Sequence, residues 1–292
     1  MSFPALQKYL VSLHDTPQAA TSVWLDQHGR ALGRYFNSTL TSAFQAIRVS
    51  GTQQIIGFEG FARGHSSGKP GLSLWRLLDH AANDDESIAL DRLCRMLHAI
   101  NFYRQPQSAH VELDLYLSVH ARLLAGVRTN HGDAFRRVLG ELELPHEKIV
   151  LQLPLVAENQ NWLLAYVTDN YRRNGFRLAL NAADAQQALA ILDQLQPEAI
   201  KVDAREITDA AATLRLLQEA GRRGVRLIFK RVETETVHAT LKELAASAGQ
   251  ILLTQGFLWD LPAALLETSA PGIASQAAGL PAAPALQASA AA

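Results

Sequence analysis

Between about residue 40 and residue 268 the chain repeats one pattern: a short apolar run, then a longer amphipathic segment. The runs are "QQIIGFEGFA", "HVELDLYL", "KIVLQLPL", "GFRLALN", "AIKVDA", "VRLIFKRV" and "QILLTQGF". They are too apolar for strands wetted on one side. Such runs need burial on both faces, which parallel strands covered by helices provide. The segments between them have helical spacing, as in "ALDRLCRMLHAINF", "NQNWLLAYVTDNYRRNG", "AQQALAILDQL", "AAATLRLLQEAGRRG" and "TETVHATLKELAASAG". Gly175, Gly224 and Gly249 close three of them, and glycine readily takes the left-handed cap conformation. Seven or eight such units in about 230 residues predict an α/β fold, a (β/α)8 TIM-like barrel rather than an open sheet.

The flanks read differently. Residues 1–37 form an N-terminal extension, 38–268 the barrel, and 269–292 an Ala/Pro-rich tail. Leu6, Leu10 and Leu13 share one helical face, so residues 3–14 are expected to be a short amphipathic helix. "SVWLDQHGRALGRYF" reads as a hairpin or as a turn into a helix. The extension either packs on the barrel or serves a partner. The tail has no charge and little bulk to bury, so disorder is expected there. The net charge of -1 gives no global field for nucleic acid or anionic lipid. No apolar stretch approaches the ~20 residues of a membrane span, and "MSFPALQKYL" lacks the pattern of a signal peptide. Cys94 is the single cysteine, so no internal disulfide forms, which fits a reducing compartment. A soluble, cytoplasmic protein is expected.

A barrel displays functional groups at the C-terminal ends of its strands. Reading those ends in order gives Glu59, Arg63, Ser118, Gln152, Asn181, Lys201, Asp203, Lys230, Glu233 and Gln255, a polar ring gathered from distant parts of the chain. The histidines, among them His65, His80, His98, His110, His120 and His131, show no zinc-ligand spacing and read as solvated or structural. No glycine-rich phosphate loop stands between a strand and a helix.

These strand ends carry a resemblance. "SAFQAIRVSGTQQIIGFEGFARG", with Glu59-Gly60-Phe61-Ala62-Arg63 in place of E-A-L-x-R, resembles the entry to EAL domains, the cyclic-di-GMP phosphodiesterase family. "ALDR", "LYLSVHARLL", "IVLQLPL", "GFRLALN", "PEAIKVD", "VRLIFKRVET" and "QGF" continue the likeness in order over about residues 38–265. The resemblance implies an EAL-type barrel and a site for cyclic-di-GMP. Active members hold two Mg2+ or Mn2+ ions on carboxylates and one amide. Here Glu59, Lys201, Glu233 and Gln255 keep the family pattern. Ser118 stands for an Asn. Gln152 and Leu155 stand for the two acids of E-x-x-E, and Asn181 and Ala182 for the paired Asp. Lys230 stands for a Glu, a reversal of charge.

Divalent ions need anionic oxygen ligands, and a pair of them needs several. Two unit charges 4 Å apart repel by ~4 kcal/mol at an effective dielectric of 20, so Lys230 and a metal ion should not share this mouth. The resemblance therefore implies a chain without phosphodiesterase activity, metal or cofactor. Cyclic-di-GMP is the expected ligand, bound without hydrolysis. Its contacts would come from Glu59, Arg63, Lys201, Asp203, Lys230, Glu233 and Gln255. The alternative is a module that docks on an unidentified protein partner with neither nucleotide nor metal. In that case Lys230 pairs with Glu59, and Phe229 and Arg231 fill the nucleotide's space. Lys201 pairs with Glu59 or Asp203 when no ligand is present. Glu233 binds ligand or caps the helix starting at Thr234. A homodimer follows by family analogy alone.

Overall fold

A computed structural model describes residues 4–14, 23–66, 69–72, 84–106, 113–121, 124, 132–155 and 161–266. The tail expected to be disordered lies outside the described residues, as do His80, His110 and His131.

Eight strands close a barrel: β3 (Ser38–Val49), β4 (Ile55–Ser66), β6 (Asp114–Ser118), β7 (Ile149–Leu153), β8 (Arg177–Ala182), β9 (Ala199–Asp203), β10 (Arg226–Lys230) and β11 (Leu253–Gln255). From β4 through β11 neighbouring strands run parallel. β3 closes the ring antiparallel to both β4 and β11, a departure from the all-parallel barrel expected. The run of residues 43–47, Ala-Phe-Gln-Ala-Ile, is as apolar as its neighbours. Only the turn at residues 50–54, which returns the chain directly into β4, sets its direction.

Helices α2 (Asp84–Tyr103), α3 (Asp133–Glu141), α4 (Asn161–Arg173), α5 (Ala185–Gln194), α6 (Ala210–Arg222) and α7 (Glu235–Ser247) surround the ring. Gly175, Gly224 and Gly249 follow α4, α6 and α7 with φ of 79°, 67° and 66°, the left-handed stop expected of them. Side chains alternate between two cores along each strand. Leu178, Leu180, Ile200, Val202, Leu227 and Phe229 face outward into the helix layer. Ile47, Tyr116, Val150, Ala179, Ala199, Ile228 and Leu253, one from each of seven strands, fill the interior. No helix among the described residues is long and apolar enough to cross a membrane.

β3 and β4 are each twelve residues long and outrun the barrel. Their upper halves carry β2 (Ala31–Tyr35) and β5 (Lys69–Leu72), and β2 pairs with β1 (Val23–Leu25). The N-terminal segment is thus a hairpin that packs on the barrel. Leu6 and Tyr9 of α1 (Pro4–His14) join Ala31, Leu40, Leu93 and Leu97 in one core. Asn101 of α2 fastens the hairpin by accepting from the Ala31 N–H at 2.7 Å and donating to its carbonyl at 2.8 Å.

The barrel's N-terminal end is closed by charge. Asp114 of β6 accepts from Arg177 of β8 at 2.5 Å and from Arg226 of β10 at 2.6 Å. Glu198, just before β9, accepts from the same two guanidiniums at 2.5 and 3.3 Å. Two acids and two bases therefore alternate round the floor.

Candidate functional site

The C-terminal mouth is built from inward-facing residues above the apolar interior. β9 shows how the sequence places them. In Ala199-Ile200-Lys201-Val202-Asp203 the period of two sends Ile200 and Val202 to the helix layer, so Lys201 and Asp203 must point inward. The Lys201 side chain is 1% exposed. Its ammonium donates to Glu59 Oε2 at 2.6 Å and to Gln255 Oε1 at 2.7 Å, and it stands 5.5 Å from the centre of the Tyr116 ring. Gln255 Nε2 donates to the same Glu59 oxygen at 2.9 Å and to Gln45 Oε1 at 3.2 Å. Gln45 in turn donates to the Asp260 carbonyl at 2.7 Å. Burial works to raise the Glu59 carboxyl, but the Lys201 ammonium and the amides of Gln152 and Gln255 hold it below the usual carboxylate range. Burial also lowers the Lys201 amine, and Glu59 opposes that fall. Buried charges persist when paired and hydrogen-bonded, and this pair is both.

Across the mouth, Lys230 donates to Asn181 Oδ1 at 2.7 Å, and Asn181 Nδ2 donates to the Leu153 carbonyl at 2.8 Å. Gln152 Nε2 lies 3.3 Å from Ser118 Oγ. Lys230 is half-buried. Burial first, then the nearby Lys201, lowers its amine from the usual lysine range. Asp203 receives Arg205 on both carboxylate oxygens, at 3.1 and 3.0 Å, and Arg231 at 2.8 Å. Arg63 is exposed on the upper half of β4. No described residue forms an ion pair with it.

Glu59, Gln152, Lys201 and Gln255 thus meet in one network, and Asn181 and Lys230 meet beside it. Several expectations need correction. Lys230 bonds to a neutral amide rather than to Glu59, because Lys201 already occupies that carboxylate. Of the two partners expected for Lys201, the structure gives Glu59, and Asp203 takes two arginines instead. Glu233 caps nothing: Thr234 is the N-cap of α7, its side chain accepting from the Val237 N–H, and Glu233 is exposed. Ala182 and Phe229 fall on the outward phase and are buried under the helices, so neither faces the mouth. Arg231 turns to Asp203 and stays 54% exposed. Gln45 is a member of the network that sequence reading missed. Its signal was a lone amide at the inward phase of an otherwise apolar stretch.

A sequence model described as EAL domain matches residues 30–257. No curated protein matches. Among solved structures the chain is similar to Klebsiella pneumoniae BlrP1 in its pH 6 manganese and cyclic-di-GMP complex, at 21% identity and a TM-score of 0.64 over 77% of this chain and 56% of that one. BlrP1 with FMN and cyclic-di-GMP and no metal ions gives 20% identity and 0.58, over 77% and 53%. A standalone versatile EAL protein from Vibrio cholerae O395, in its c-di-GMP-bound form, gives 20% and 0.60, over 77% and 92%. At these identities the likeness is one of fold. The chain spans just over half the length of BlrP1.

Proposed function

We propose that this chain, which belongs to the EAL domain family, binds cyclic-di-GMP at the mouth of its barrel and does not hydrolyse it. The observation that carries this reading is the pair of lysines in the mouth. Two divalent ions a few Å apart need several anionic oxygens. Of the two inward carboxylates described above, Glu59 is held by Lys201 and Asp203 by Arg205 and Arg231. The other positions are neutral Ser118, Gln152 and Asn181 and cationic Lys230. Among the described residues no group of three His, Cys, Asp or Glu side chains is placed to hold a metal. The donor set does not suit the pair of metal ions used by active relatives.

The same charges suit a phosphodiester. Arg63 has no ion-pair partner among the described residues and can grip a phosphate with two parallel N–H donors. Lys230 contributes a cation balanced by no carboxylate of its own. Glu233 and Asp203 offer acceptors for the N–H edge of a guanine. The metal-free complex of BlrP1 shows that an EAL protein can hold the dinucleotide without ions. The second reading, docking on a protein partner, draws on Lys201 being tied to Glu59 and Gln255, which leaves it unavailable to a ligand.

Calorimetric titration with cyclic-di-GMP, in Mg2+ and in EDTA, separates these readings. Equal binding in both buffers, weakened by Arg63→Ala, is the expected result. Absence of heat in both favours the docking module. Linear pGpG formed with Mg2+ or Mn2+, above a Glu59→Ala control, would overturn the claim of inactivity.

A further inference from the structure

The strand that carries Glu59 continues past the barrel, and its phase decides which side chains stand over the mouth. Glu59 points inward to Lys201 and Gln255. Gly60 and Ala62 turn the other way. A Cβ on Gly60 would meet the His98 ring of α2 at 3.0 Å, and Ala62 joins the core under that helix with Leu93 and Leu97. The period of two therefore sets Phe61 and Arg63 on the same face as Glu59, one above the other on the wall of the mouth. Phe61 is the middle of the three. It is half-buried, and among the described residues it joins none of the apolar cores. Across from it on β3 stands Ala43, whose methyl group cannot cover a phenyl ring. Of the other rings near this network, Tyr116 is sealed in the barrel interior and Phe229 faces the helix layer.

We infer that Phe61 is the surface on which a purine ring of the ligand stacks. This deepens the reading of the mouth as a cyclic-di-GMP site and rests on it. Successive residues on one face of a strand stand about 7 Å apart, so a base lying on Phe61 leaves its own sugar and phosphate within reach of Arg63 above. Stacking on an aromatic ring needs only the π-face that every base has. Phe61 thus contributes affinity, and the choice of guanine falls to the polar groups of the mouth. The contact involves no charge, so its share of the binding is insensitive to salt, whereas a grip on phosphate weakens as salt screens it. The family pattern E-A-L-x-R has leucine where Phe61 stands, so the platform belongs to this chain and not to the fold.

The full chain is titrated with cyclic-di-GMP by calorimetry at several salt concentrations, beside two ringless variants, Phe61→Leu and Phe61→Met, and beside Phe61→Tyr and Arg63→Ala. Leucine is the family's own residue here, so the fold is expected to accept it, and thermal unfolding checks each variant. Both ringless variants are expected to weaken binding about tenfold, within the worth of one stacked base, and by the same factor at every salt concentration. Phe61→Tyr keeps the ring and is expected to retain the affinity. Arg63→Ala is expected to lose most at low salt. Unchanged affinity in the ringless variants overturns the inference and leaves the nucleotide reading standing. So does an equal loss in Phe61→Tyr, or a ringless loss that fades with salt as that of Arg63→Ala does, because the position then supplies something other than a stacked ring. Absence of binding by the unaltered chain overturns both.

Discussion

Replacing Lys201 with Met leaves Glu59 in the mouth without its counter-charge. Breaking a buried ion pair by removing one partner costs about 3–5 kcal/mol, and Lys201→Met is expected to fall near the lower figure, since Gln152 and Gln255 still donate to Glu59. Replacing Glu59 by Met as well should recover part of the loss, because two apolar side chains need no partners. Urea unfolding of the single and double variants checks both. His98 makes a second case at this scale. It packs against Gly60 and shares a 2.8 Å hydrogen bond with Ser42. Burial lowers its ring to about 3, against a weak upward pull from Glu59. The unfolded chain takes up a proton at this ring below about pH 6.5 and the folded chain does not, so stability falls as pH drops through that window. The slope due to this ring is about 1.4 kcal/mol per pH unit. Unfolding free energies from pH 6.5 to 5 should therefore fall less steeply in His98→Gln, and an unchanged slope would show that the ring titrates normally.

The strands and helices divide the molecule into an end that balances its own charge and an end that does not. At the N-terminal floor, Asp114, 7% exposed, joins β6 to β8 and β10 through Arg177 and Arg226. Asp114→Asn would leave two guanidiniums on one half-exposed Glu198. A loss of about 2–4 kcal/mol is expected, with cyclic-di-GMP affinity unchanged because the mouth lies at the other end. Thermal unfolding followed by titration tests the pair of claims together, and a loss of affinity comparable to that of Arg63→Ala would show that the two ends are coupled. This floor was not legible in the sequence. Asp114 and Arg226 are 112 residues apart, and only the register of closed strands brings them together. The inward placing of Lys201 was legible, because Ile200 and Val202 flank it and the period of two leaves one choice. Ala182 was misread for the complementary reason: matching it to a family position ignored the phase of β8, which turns it outward. The direction of β3 was hidden because an apolar run carries no sign of parallel or antiparallel pairing.

Over the whole molecule the net charge is -1, and the mouth sets two lysines, Lys201 and Lys230, near Glu59. Lysines so placed repel dications, and they are set by single residues rather than by the fold. That makes the charge of the mouth reversible by design. Lys230→Glu alone should not create a metal site, since Ser118, Gln152 and Asn181 remain neutral and Lys201 still holds Glu59. Adding Gln152→Glu and Asn181→Asp supplies three carboxylates on inward positions of β7, β8 and β10, with Lys201 of β9 between the last two. Hard divalent ions bind where such oxygens converge. Calorimetry with Mn2+ is expected to show uptake by the triple variant and none by the single one. The triple variant's dinucleotide binding should then become metal-dependent, because Lys230, the cation proposed to stand in for the ions, is gone. Mn2+ uptake of similar strength by the unaltered chain would mean that the lysines yield to the metal, and the account of this mouth as a metal-free anion site would fail with it.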